Sequence, residues 1–122
     1  MFIVDGTVVV GLQRGRTIGY PTVNISYADA IGAEPGVYAA RVRIGEKDFF
    51  GAAVVGGDFI SSKKPKLEIN LFDDSTQNRY GELVHVELVE KISELEKIAD
   101  RLALIEKIER DVAAVKKYFE LT

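Results

Sequence analysis

The chain has 122 residues, which suits one domain with a single core and is too short for two ordinary domains. It contains no cysteine, which excludes disulfides, thiolate nucleophiles and cysteine zinc sites. A formal charge of −3 argues against a nucleic-acid partner, because binding to a phosphate backbone needs a basic surface. No stretch approaches the ~20 apolar residues of a membrane span, and the start lacks the basic residues of a signal peptide. We therefore expect a cytoplasmic protein that does not bind membranes.

β-strand signals fill the first three quarters of the chain. Gly45-Glu46-Lys47 predicts a hairpin turn between two β-rich runs, and alternating apolar and polar residues predict half-buried strands further on. The predicted strands cover residues 2–10, 21–25, 36–44, 48–55, 66–72 and 82–89. Six short strands joined by turns most often close into a small barrel or sandwich.

The last quarter of the chain has the period of a helix. Ser93 and Glu96 form a capping-box pattern, which predicts that the helix begins there. The apolar stripe should lie on the barrel, with Glu106, Lys107 and Lys117 facing water. Its members recur at three and four residues: Leu95, Ile98, Leu102, Ile105, Ile108, Val112, Val115 and Phe119.

A glycine- and arginine-rich run precedes the second predicted strand and has the composition of a phosphate and metal site. Gly11, Arg16 and Gly19 belong to this run. They are candidates for binding phosphate, because glycines let a backbone approach phosphate closely and arginines supply positive charge. Thr22 and Asn24 would share one face of a strand and could offer two neutral oxygens to Mg²⁺. The glycines match neither the phosphate loop nor the dinucleotide-binding pattern. Turn glycines on an ordinary β-protein therefore remain an alternative.

Glu68 is a second candidate for chemistry. It lies on the polar phase of its predicted strand together with Asn70, so its carboxylate has a fixed direction. In a cleft, this carboxylate could accept a proton from an attacking hydroxyl, whereas most polar-phase acids on strands are simply solvated. His85, the only histidine, lies on an outward phase near Glu87 and is expected to be a surface residue.

The order of these motifs resembles the riboflavin kinases of the bacterial and eukaryotic type. The family's Gly-x-Pro-Thr-Ala-Asn signature corresponds here to Gly19-Tyr-Pro-Thr-Val-Asn24. The other landmarks follow in the family's order along nearly the whole chain: Gly36-Val37-Tyr38, the strand with Glu68, Tyr80-Gly81, and the helix with Leu104, Ile108 and Asp111.

The resemblance implies a mainly β fold, a six-stranded antiparallel Greek-key barrel with a C-terminal α-helix, occupying residues 1–122 as a single domain. It implies transfer of the γ-phosphate of ATP to the 5′-hydroxyl of riboflavin, giving FMN and ADP, with Mg²⁺ as cofactor and Glu68 as general base. Thr22 and Asn24 would bind the metal. The ATP-binding residues would be Gly11, Arg16, Gly19, Thr22 and Asn24. We expect a monomer. We also expect the reaction to stop at FMN, because no adenylyltransferase domain fits in this length.

One segment departs from the family pattern. Where the family has an Arg-x-Glu-x-Lys-Phe flap that folds over the flavin, this chain has Ser93, Leu95, Lys97 and Ile98. The arginine, the acid and the aromatic residue are missing, so no flavin contact is assigned to this segment. A catalytically impaired flavin- or nucleotide-binding module on the same barrel is therefore an alternative function. A structural barrel unrelated to nucleotides is a third hypothesis.

Overall fold

The computed structural model describes residues 1–9, 19–29, 31–56, 65–73 and 79–121. The strands pair antiparallel in the order β1-β2-β5-β4-β3-β6 and close into a barrel, which confirms the predicted fold class. Non-neighbouring connections from β2 to β3 and from β5 to β6 produce the Greek-key arrangement. The elements are β1 Phe2–Val9, β2 Val23–Tyr27, β3 Gly36–Ile44, β4 Lys47–Gly56, β5 Lys66–Leu71, β6 Leu83–Ser93 and the helix α1 Arg101–Tyr118.

The barrel interior is filled by alternate residues of every strand. Alternation in β5 buries Leu67 and Ile69 and leaves Glu68 and Asn70 half-buried on the outer face, as the sequence predicts. Each fully buried aliphatic side chain contributes roughly 1.5–3 kcal/mol through removal from water. The largest side chains of this interior are Val8, Val42, Ile44, Val55, Leu67, Ile69, Val86 and Leu88.

A second, smaller apolar layer joins α1 to the outside of the barrel. Outward-facing residues of β3 and β4 pack there against the helix, because a helix with one apolar stripe must bury it against another element. The buried members of this layer are Val37, Ala39, Ala52, Phe72 and Val115. The prediction that the helix lies on the barrel is therefore confirmed.

The helix begins later than the sequence pattern predicts. Asp100 is the N-cap and accepts a hydrogen bond from the Ala103 backbone N–H at 2.9 Å. The predicted capping box is wrong, because Ser93 is the last residue of β6 and pairs with Val37 of β3. Backbone pairing with β3 keeps Ser93 in β6. The residues after Ser93 lead the chain away from the barrel before the helix begins at Arg101.

The predicted solvent face of the helix is also wrong at one position. Lys107 is 8% exposed, whereas Leu102, which the pattern assigns to the apolar stripe, is 70% exposed. Lys107 can be buried because its ammonium group forms an ion pair with Asp111 one turn further along. Within the described residues, no helix combines the length and hydrophobicity needed to cross a membrane.

Candidate active site

A cleft of about 170 Å³ lies between α1 and the outer face of the barrel. Its apolar walls come from β3 and β4 on one side and from the helix on the other: Val37, Ala52, Val54, Leu104, Ile108 and Val112. Five polar side chains also line it: Tyr20, Thr22, Glu68, Asn70 and Asp111. A mostly apolar cleft with a few convergent polar groups is the usual form of a small-molecule site.

Glu68 and Asn24 face each other across the β2–β5 ladder. They are directly paired residues of antiparallel strands, so their side chains project from the same face of the sheet, with Cβ atoms roughly 4.5–5.5 Å apart. Thr22 lies just before β2, which begins at Val23 and not at Pro21 as predicted, and it lines the cleft beside Glu68. The structure therefore brings Thr22, Asn24 and Glu68 together, although Asn24 does not itself line the cleft.

Asn70 fixes the segment that carries Thr22. Its Nδ2 donates a hydrogen bond to the Pro21 carbonyl oxygen at 3.0 Å, joining β5 to a segment 49 residues away. Because Asn70 and Glu68 lie on the same face of β5, the strand that carries the carboxylate also anchors the segment with the hydroxyl. Their relative positions are thus set by sheet geometry.

Tyr20 connects the same segment to the helix. Burial, followed by the charge and hydrogen bond of the Glu109 carboxylate, raises the pKa of the Tyr20 hydroxyl above its usual value. Since Glu109 lies on α1, this contact spans from the approach to β2 to the helix. Tyr20 therefore links the segment that carries Thr22 to the helix side of the cleft.

Two of the predicted ATP-binding residues, Gly11 and Arg16, lie outside the described residues. Gly19 is exposed and has a φ of +86°, a conformation that favours glycine and turns the chain towards Tyr20. Gly19 does not line the cleft. Its role in this structure is to shape the turn before Thr22.

The sequence motifs gave no role to Tyr20, Asn70 or Asp111, although all three line the cleft. A signal for Asp111 does exist in the sequence. It is three residues after Ile108 and four before Val115, so it lies on the helix face that those apolar residues bury. A charged residue at such a position is a candidate for a buried polar contact.

The donor set around Thr22 fits a hard metal ion that is bound mainly through a substrate. Thr22 and Asn24 offer a hydroxyl and a carboxamide oxygen, and the described residues contain no group of three His, Cys, Asp or Glu side chains placed to hold a metal. Mg²⁺ in nucleotide sites commonly takes few protein ligands and completes its shell with phosphate and water oxygens. The residues present are compatible with that mode and not with an all-protein metal cage.

A larger depression of about 370 Å³ lies elsewhere, on the outer face of β3, β4 and β6. Arg41, His85 and Glu87 contribute to it, and none of the predicted site residues does. The His85 side chain is 43% exposed, and its Nδ1 lies 2.6 Å from Asp5 Oδ1. His85 is thus a surface residue with a charged neighbour, as expected from its strand phase.

Comparison with known proteins decides the family. A family model described as flavokinase, or riboflavin kinase, matches residues 1–119. The chain belongs to the riboflavin kinase family. It is 40% identical over 118 residues to the bifunctional riboflavin kinase/FMN adenylyltransferase of Haemophilus influenzae, an alignment that covers 95% of this chain and 38% of that protein.

Other relatives extend the comparison in sequence and in fold. The RNA-binding riboflavin kinase RibR of Bacillus subtilis is 34% identical over 123 residues, covering 99% of this chain and 53% of that protein. The crystal structure of riboflavin kinase from Trypanosoma brucei has the same fold, with a TM-score of 0.72 and 21% identity, covering 98% of this chain and 80% of that one. The chain spans about two fifths of the length of bifunctional relatives such as the H. influenzae protein.

Proposed function

We propose that residues 1–122 form a single riboflavin kinase domain that transfers the γ-phosphate of ATP to the 5′-hydroxyl of riboflavin, giving FMN and ADP. Membership of the riboflavin kinase family supports this activity. The observation that carries the proposal is the meeting of Thr22 and Glu68 in one cleft, with Asn24 opposite Glu68 on the neighbouring strand. The carboxamide and the carboxylate are thereby fixed on adjacent strands, and the hydroxyl lies just before the first of them.

In this proposal, Glu68 is the general base. Its carboxylate accepts the proton of the riboflavin 5′-hydroxyl while that oxygen bonds to the γ-phosphorus and the bond from phosphorus to the ADP oxygen breaks. Glu68 is half-buried and sits on a strand that is paired on both sides, so its direction is fixed before the substrate arrives. The apolar residues of the cleft would keep water from competing with the riboflavin hydroxyl.

Thr22 and Asn24 are proposed to hold Mg²⁺ through their side-chain oxygens, together with the phosphates of ATP. When bound, the ion would supply positive charge near the γ-phosphate. The Asn70 bond to the Pro21 carbonyl keeps Thr22 beside β5, so the metal-facing hydroxyl and the basic carboxylate stay in register. Gly11, Arg16 and Gly19 are proposed to contribute to the ATP side.

The proposal also covers the ligands, the oligomeric state and the cellular location of the protein. We expect a monomer in the cytoplasm that takes riboflavin and ATP and releases FMN and ADP. The net charge of −3 argues against RNA as a further ligand. Because one relative is named as RNA-binding, RNA binding by this chain should be measured directly.

The test of the activity compares the wild-type chain with Glu68→Gln. Incubation with riboflavin, ATP and Mg²⁺ should produce FMN, measured by chromatography, and Glu68→Gln should reduce kcat by about 100-fold or more because the proton acceptor is lost. Circular dichroism and the unfolding midpoint should remain unchanged, since none of the ion pairs among the described residues includes Glu68.

Other outcomes of this experiment separate the alternatives. Full activity of Glu68→Gln would contradict its assignment as the base. Tight binding of FMN without turnover by the wild type would favour the catalytically impaired binding module. Absence of both riboflavin binding and turnover would leave the structural barrel.

A further inference from the structure

A buried polar cluster joins α1 to the end of β6. Lys107 and Asp111 are 8% and 9% exposed, and Lys107 Nζ lies 2.5 Å from Asp111 Oδ2. The Ser93 hydroxyl donates to Asp111 Oδ1 at 2.7 Å and accepts from Lys107 Nζ at 2.9 Å. Each of the three side chains therefore contacts the other two.

Attaching the helix through this cluster requires the desolvation of two charged groups. Desolvation of two charges often cancels their attraction, so apolar side chains of similar volume can stabilise a fold equally well or better. The same helix already packs Val112 and Val115 against the barrel in the second apolar layer. Attachment of the helix thus gives no reason for a lysine and an aspartate at these positions.

The location of Asp111 offers a reason. Asp111 lines the cleft that contains Glu68, whereas Lys107 and Ser93 do not line it. A carboxylate has about four acceptor positions, and the two contacts with Lys107 and Ser93 leave acceptor capacity for a donor in the cleft. The Lys107 charge also offsets that of Asp111, which limits repulsion between the cleft and an anionic phosphate.

We propose that Lys107 is a positioning residue for riboflavin: with Ser93, it holds the Asp111 carboxylate at the cleft wall, where Asp111 accepts a hydrogen bond from a hydroxyl or ring N–H of the flavin. This inference rests on the proposed kinase function. Lys107 acts through Asp111, and Asp111 is the group that contacts the substrate. The arrangement gives the helix side of the cleft a specificity for donor groups that its apolar residues lack.

The test uses Lys107→Met and the double variant Lys107→Met with Asp111→Leu. Lys107→Met leaves a buried carboxylate without its cation, so we expect a lower unfolding midpoint and a KM for riboflavin raised about 10–100-fold, with KM for ATP nearly unchanged. The double variant replaces the ion pair by apolar side chains and should recover the unfolding midpoint. Its KM for riboflavin should nevertheless stay raised, because the acceptor is gone.

Lys117→Met is the matched control, since it removes one positive charge from an exposed position of the same helix. It should leave both KM values and the unfolding midpoint unchanged. Recovery of riboflavin KM together with stability in the double variant would show that the cluster is only structural and would overturn the inference. Equal increases in the KM values for riboflavin and ATP would also overturn it.

Riboflavin binding, followed by quenching of flavin fluorescence, separates this inference from the kinase proposal. If the wild type forms no FMN, the kinase proposal fails, whereas weaker binding by both variants would still support the role of Lys107 and Asp111. If the wild type neither binds riboflavin nor forms FMN, the flavin is not the ligand of Asp111 and both proposals fail.

Discussion

Asn24 is the residue at which the metal proposal can be tested without disturbing the cleft. Its side chain faces Glu68 across the ladder but does not line the cleft itself. Replacement of Asn24 by alanine removes one proposed oxygen ligand, so we expect the Mg²⁺ concentration for half-maximal FMN formation to rise about 10–100-fold. The measurement is activity against Mg²⁺ concentration at fixed ATP and riboflavin.

Ser26→Ala is the control for this substitution, because Ser26 lies two residues further along β2, on the same face, and is exposed. It should leave the Mg²⁺ dependence unchanged. An Asn24→Ala variant with the wild-type Mg²⁺ dependence would remove Asn24 from the metal site and leave Thr22 as the remaining side-chain ligand of the proposal.

Among the secondary-structure elements, the start of α1 depends on a single side chain. Asp100 accepts the Ala103 N–H at 2.9 Å, and no acidic residue occupies the first turn of the helix. Asp100→Ala should therefore lower the free energy of unfolding by about 0.5–2 kcal/mol, measured by urea denaturation. Asp100→Asn should retain most of the stability, since asparagine is a comparable N-cap. Equal loss in both variants would indicate that the charge, and not the cap, is responsible.

The helix start also shows where sequence patterns fail. Ser93 and Glu96 satisfy the local rule for a capping box, whereas Asp100 is a favourable N-cap residue type without the matching acid three residues later. The choice between them depends on β6, which extends to Ser93 because β3 offers backbone partners up to Val37. Pairing between strands that are distant in sequence is not visible in a local pattern, so the end of β6 and the start of α1 could not be predicted.

The strands and part of the site were predictable for a different reason. Alternation in β5 already separates Glu68 from the buried Leu67 and Ile69, because a strand has only two faces. Alternation does not predict which element packs on the outer face of the sheet. The cleft that Glu68 shares with α1, and the burial of Lys107 and Asp111, follow from how the helix docks on the barrel.

In the whole molecule, the barrel and the helix differ in the number of interactions that stabilise them. Every strand pairs with two neighbours in a closed ring, whereas α1 rests on one small apolar layer and a buried ion pair. We therefore expect amides of α1 to exchange with solvent through openings of lower free energy than amides of β3. Hydrogen exchange under native conditions, read by mass spectrometry, measures both. Equal protection of α1 and β3 would mean that helix and barrel unfold as one unit.

Riboflavin should reduce that difference if it binds between the helix and the barrel. A ligand that needs both walls of the cleft is released whenever α1 opens, so at 100 times its Kd it should make this opening about 2.7 kcal/mol less favourable. Exchange of α1 amides would then slow by about 100-fold. A ligand bound away from the helix would instead protect the barrel against global unfolding and leave α1 exchange unchanged. The pattern of protection thus locates the flavin relative to α1, independently of any measurement of turnover.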